Sequence, residues 1–201
     1  LRWHRFANFG YKTVLMLNHL SSIHLHPKKD NTAMQFSALP PDAQVWVYIA
    51  NRPLSTEVQQ AVLEHLKVFF AAWKSHGRPV RGAARFWADR FLCVGAFIEG
   101  GTISGCGIDA SAHAISALPE VFGFTWESPL KVFYRDSTGA IQSVPRAVFR
   151  KMVQEKHVGS ETIVFNPGIT EVEALENQSF ELPLKDAWHA KVFRLPAVSP
   201  V

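Results

Sequence analysis

Cysteine is scarce in this chain: Cys93 and Cys106 are the only two in 201 residues, and they do not form a CxxC pair. That excludes a disulfide framework and a zinc knuckle, and both thiols are read as free in a reducing compartment. Charge is thin as well. Charged residues make up 19% against 47% apolar, the balance of a folded globular chain and not of a disordered one. The formal net charge of +4 is local. Residues 1–33 hold Arg2, Arg5, Lys12, Lys28 and Lys29 against Asp30, which leaves 16 of the 21 basic and 16 of the 17 acidic residues over 34–201. A body without net charge has no electrostatic footprint for nucleic acid, so no such partner is expected. The near-apolar run at 13–20 is broken by Asn18 and His19, too short and too interrupted for a signal peptide or a bilayer span. No membrane association is expected, and a cytoplasmic location is the default.

Nucleotide loops are also missing. Gly100 and Gly105 have the first spacing of a phosphate loop, but Cys106 stands where lysine is needed and Gly107 where a hydroxyl would hold magnesium. Gly101, Gly105 and Gly107 are wrongly spaced for a dinucleotide fingerprint. Cys106, Asp109 and His113 would make a mixed metal site with no paired spacing behind it. No metal and no cofactor is expected.

What is present is a series of punctuated elements. Val45, Trp46, Val47, Tyr48 and Ile49 read as a strand. Thr56 and Gln59 form a capping box for a helix over 56–76 whose apolar stripe is Val58, Val62, Leu66, Phe69 and Trp73, with Gly77 as its C-terminal cap. Residues 91–98 are apolar throughout, which predicts a strand buried on both faces. Ser128-Pro129 marks a boundary. A hairpin over 130–144 turns at 136–139, Pro145 opens a helix, 162–165 is a strand, Thr170 and Glu173 cap a short helix, and 187–193 reads as a closing strand. The expected fold is α/β: a mixed sheet with the first helix on one face and the helix of the 110s on the other, followed by a smaller α+β half. The expected organisation is a non-native or disordered extension over 1–33, with Met34 as the native start, then halves at 34–128 and 129–195, with one continuous domain as the alternative for the two, and a tail at 196–201. A basic arm that docks on a partner is the alternative for 1–33.

Chemistry is expected at the glycine-rich turn that follows strand 91–98. Gly105 and Gly107 allow close approach of another molecule. A helix starting near Asp109 or Ser111 would favour an anion, or Cys106 as thiolate. Asp109 and His113 lie four apart, where a carboxylate can orient an imidazole. The catalytic candidates are therefore Cys106 as nucleophile, Asp109 as orienting group, and His113 or His189 as base. Ligand-binding candidates are Ser104, Gly105, Gly107, Ser111, Arg52 and Trp188, with a small anion as the ligand. The same residues also read as ordinary packing, with a buried cysteine, a capping aspartate and a half-buried histidine, so catalysis itself stays open.

Several separated motifs carry a resemblance: Val45-Trp46-Val47-Tyr48, Trp73-Lys74-Ser75-His76-Gly77, Gly105-Cys106-Gly107-Ile108-Asp109-Ala110-Ser111, Thr162-Ile163-Val164-Phe165-Asn166 and Trp188-His189-Ala190-Lys191-Val192-Phe193. From Met34 to about Phe193 the chain resembles a family of short uncharacterised bacterial proteins, mostly of Bacteroidetes, often labelled ABC transporter ATPase. Without a lysine-bearing phosphate loop, the chain does not support that label. Gly107 departs from the serine the family tends to carry there. Residues 130–175 are also similar to GYF-type peptide-binding domains, with Phe133 and Tyr134 as the available aromatics. That similarity implies the rival reading, a non-catalytic interaction module with a protein partner on 130–195.

Overall fold

The structure is a computed structural model that describes residues 34–177 and 179–195; the 1–33 extension and the 196–201 tail lie outside the described residues. After a short 3-10 turn at Phe36–Ala38 come strand β1 (Gln44–Ile49), helix α1 (Thr56–Ala72) and a two-strand hairpin, β2 (Lys74–Ser75) with β3 (Arg78–Pro79). Strands β4 (Arg81–Trp87) and β5 (Phe91–Phe97) follow, joined by Ala88, Asp89 and Arg90. The first sheet runs β1-β5-β4, antiparallel throughout. β5 is central, which explains its unbroken apolar run. Phe91 and Cys93 face one core cluster while Leu92, Val94 and Ala96 face another. Burying each large side chain among these contributes about 1.5–3 kcal/mol.

The α/β class expected from sequence is present, with helices and sheets along the whole chain. Two finer expectations are corrected. Every strand pair among the described residues is antiparallel, so no mixed sheet forms. A strand buried on both faces suits a parallel sheet, but three residues between β4 and β5 can only reverse the chain. Helix α2 (Gly105–Ser116) and helix α3 (Leu118–Phe122) also pack on the same face as α1. Val62, Leu66 and Phe70 share a core with Ile115, Leu118 and the even-numbered side of β5.

The opposite face is covered by the second half of the chain. There β6 (Val132–Arg135), β7 (Ile141–Val144), helix α4 (Arg146–Gln154), β8 (Ile163–Phe165), helix α5 (Val172–Glu176) and β9 (Glu181–Pro183) build an antiparallel sheet of order β7-β6-β8-β9. The ring of Phe91 from β5 lies 5.8, 4.6 and 5.2 Å from those of Phe133, Phe165 and Phe180. The two halves therefore share one core across the 128–129 boundary. The last element corrects another expectation: 188–193 is helix α6 (Trp188–Phe193) and not a strand. Its buried pair, His189 and Phe193, is spaced by four, a helical repeat that alternation had masked.

Candidate functional site

Two sequence-distant turns meet at the start of α2. α1 stops at Ala72, four residues short of the expected end, because Trp73 leaves the helical conformation with ψ 127°. The chain then makes a two-residue hairpin turn in which His76 (φ 48°) and Gly77 (φ 78°) are both left-handed, the geometry a tight β-hairpin requires. Gly77 is therefore a turn glycine and not a helix cap, and His76 lies in the turn rather than in the last turn of α1.

This hairpin docks on the α2 N-terminus through Ser75 and Trp73. Trp73 Nε1 donates to the Gly107 carbonyl at 2.9 Å, and the Ser104 backbone N–H donates to Ser75 Oγ at 2.9 Å. A Cβ built on Gly107 would lie 2.9 Å from Ser75 Cβ and 2.9 Å from Ile103 Cγ2, so only glycine permits this approach. α2 begins at Gly105, earlier than expected, with Ser104 at its N-cap position. The Ser104 side chain does not cap. Its hydroxyl instead lies 2.6 Å from Ser75 Oγ and 3.0 Å from Cys106 Sγ.

Cys106 is exposed in the first turn of α2, and among the described residues the imidazole beside it is that of His76, with Nε2 4.0 Å from Sγ. The hydroxyl of Ser104 holds its thiol below the ordinary value. Desolvation opposes this, and the backbone N–H groups of His76, Gly107 and Cys106 reinforce it. Cys93 is the contrast: sealed in the core on β5, its thiol is pushed up to about 12 by burial. No protein-family model, curated relative or solved structure matches the chain.

The remaining candidates are placed elsewhere. Asp109 and His113 are exposed on α2, and no hydrogen bond joins them among the described residues. His113 donates no side-chain contact to Cys106; its carbonyl accepts from Ser116 Oγ at 2.8 Å. Gly105 stands in open space. Ser111 is buried, with its hydroxyl donating to the Ile108 carbonyl at 2.7 Å, which removes it as a ligand group. Arg52 is exposed and braces a loop by donating to the carbonyls of Gly123 and Pro53.

His189 is 1% exposed and stacks on Trp188 at 3.8 Å, inside a cluster with Phe149 and Phe193 that shares no residue with the core beneath α2. It is not the base for Cys106. Burial, with the nearby Arg146 charge, pushes its imidazole down to about 4, and its Nδ1 is buried without a hydrogen-bond partner. Trp188 donates from Nε1 to Asn166 Oδ1 at 3.1 Å.

Sequence reasoning missed His76 and Ser75 as partners of Cys106. The signal was available in Ser75-His76-Gly77-Arg78, a hairpin turn pattern that the neighbouring helix periodicity concealed. Among the described residues no group of three or more His, Cys, Asp or Glu is set to hold a metal, and no helix is long and apolar enough to cross a membrane.

Proposed function

We propose that the protein carries out covalent thiol chemistry at the junction of the 75–78 hairpin and α2, with Cys106 as nucleophile, His76 as base and Ser104 as the hydroxyl that steadies the thiolate. The observation that carries this reading is an exposed sulfur with Ser104 Oγ at 3.0 Å and His76 Nε2 at 4.0 Å, at the positive end of a twelve-residue helix. The class of substrate that fits is a small acyl group or other electrophilic carbon. Cys106 gives its proton to His76 as the S–C bond forms, and the leaving group departs with its electron pair and takes the proton back. Backbone N–H groups at the start of α2 face the oxygen on which negative charge develops. The test uses 4-nitrophenyl acetate. Nitrophenolate release with an acetyl group found on Cys106 is expected; Cys106→Ser should abolish it, and His76→Gln should slow it by about 10²-fold or more. Acetylation spread over surface lysines, unchanged in Cys106→Ser, would remove the proposal.

A second reading, a protein-interaction surface on 130–195, is favoured by one feature. Val148, Trp188 and Val192 are exposed, at 45%, 38% and 44%, on the packed pair α4 and α6. Exposed apolar side chains grouped in this way mark interaction sites. Because the halves share a core, point substitution tests this reading better than truncation does: Val148→Ser, at an exposed position outside the core, should weaken capture of a partner while leaving the thermal melt near that of the native chain.

A further inference from the structure

Ser75 docks the hairpin on α2, and its hydroxyl has a proton still to be placed. The residue is 3% exposed, so bulk water is not the acceptor. Ser75 Oγ accepts the Ser104 backbone N–H at 2.9 Å and lies 2.6 Å from Ser104 Oγ, and it makes no other hydrogen bond among the described residues. A hydroxyl has one proton to give, and here Ser104 Oγ is the acceptor in range. Once Ser75 donates there, the Ser104 proton turns to its other neighbour, Cys106 Sγ at 3.0 Å. The opposite direction, with the thiol donating to Ser104 and Ser104 to Ser75, would leave a buried proton on Ser75 without an acceptor. Such a loss is costly.

We infer that Ser75 is a positioning residue for Cys106: its sealed hydroxyl fixes the direction in which Ser104 donates, aiming that proton at the sulfur and favouring the thiolate. This role presupposes Cys106 as the nucleophile proposed above, and it adds a group that makes no hydrogen bond to the sulfur itself. A thiolate accepts strongly where a neutral thiol accepts weakly, and donors in a row polarise one another. The row therefore stabilises the charged sulfur most. A second observation agrees. A serine at an N-cap ordinarily turns its oxygen back on the helix, yet Ser104 makes no such bond, its hydroxyl being held between Ser75 and Cys106. The fold keeps the row in register through the Trp73 bond to the Gly107 carbonyl, and the missing Cβ of Gly107 lets Ser75 come this close.

The test is a double-mutant cycle on the full chain, read as thiolate absorbance against pH. Ser75→Ala is expected to lower the acid dissociation constant of Cys106 about three- to tenfold, the worth of one net hydrogen bond. In a Ser104→Ala background the same substitution should leave Cys106 unmoved, because Ser75 reaches the sulfur only through Ser104. Equal shifts in both backgrounds would overturn the inference, since the placement of the hairpin would then explain them. No shift in Ser75→Ala would overturn it too. Should the alanine variant not fold, Ser75→Gly removes the hydroxyl without filling space and repeats the cycle. The titration also stands apart from acetyl transfer. A non-additive cycle in a chain that 4-nitrophenyl acetate does not acetylate at Cys106 would uphold the role of Ser75 and remove only the acyl chemistry, whereas acetylation with an additive cycle would remove Ser75 alone.

Discussion

At the scale of single residues, Gly107 and His189 are both tightly constrained. Gly107→Ala forces a methyl into the space held by Ser75 and Ile103, neither of which can retreat without moving the hairpin or α2. Overpacking of this kind costs about 1–3 kcal/mol, so urea denaturation should show a loss of that size, with the Cys106 environment disturbed alongside it. Gly107 was read from sequence as a site that lets a ligand approach; the close approach is real, but a serine of the same chain makes it. His189 bears on pH. In the fold its imidazole is held neutral down to about 4, while the unfolded chain binds a proton near the ordinary 6.5. Its contribution is therefore complete above about pH 6.5 and is lost as pH falls toward 4, on the order of 1–3 kcal/mol. Chemical melts between pH 7 and 4 should show this loss, and His189→Leu should flatten it. A native chain equally stable at both ends would refute the assignment.

At the scale of elements, α1 shows what periodicity reveals and what it hides. Its apolar stripe was legible in part: Val62 and Leu66 are buried at helical spacing as expected, but Phe70 takes the buried place read for Phe69, which is half-buried along with Val58. Its ends were not. The N-cap is Ser55, whose hydroxyl accepts from the Val58 N–H at 3.4 Å, while the Gln59 side chain donates to the Leu54 carbonyl, so the expected box at Thr56 does not form. Ser55→Ala should cost about 0.5–1 kcal/mol in a thermal or urea melt and Thr56→Ala close to nothing; the reverse order would restore the box. The second expected box fails in the same way, since α5 starts after Glu171 with no side-chain cap. Spacing between a hydroxyl and an amide or acid three residues on cannot say which neighbour takes the extended conformation. The hairpin over β6 and β7 was legible for a stronger reason: Asp136 Oδ1 accepts from the N–H groups of Thr138 and Ala140, so the turn is written in its own residues.

At the scale of the whole molecule, two associations lay beyond any local pattern. One is the shared core, in which β5 presents Phe91 to three phenylalanines from beyond residue 128. A fragment ending at 128 should accordingly lose cooperative unfolding in calorimetry, because it would expose Phe91, Val45 and Ile49 together. The class of the fold could be read from alternating helical and strand patterns, whereas strand direction depended on a three-residue connection, and the placement of both helices on one face depended on long-range packing. The other association is the meeting of residues 73–78 with 104–107. Cys106 was legible as a candidate from its glycines and its position ahead of a helix, but its partners lie about thirty residues upstream, where no spacing rule points. The account rests on that meeting, and the ionisation of Cys106 reads it most directly. Thiolate absorbance, recorded against pH in the native chain and in Ser104→Ala with Cys93 silent as the internal reference, should place Cys106 below the ordinary thiol value and move it upward in the variant. A Cys106 that titrates like a free thiol in both proteins would contradict the account.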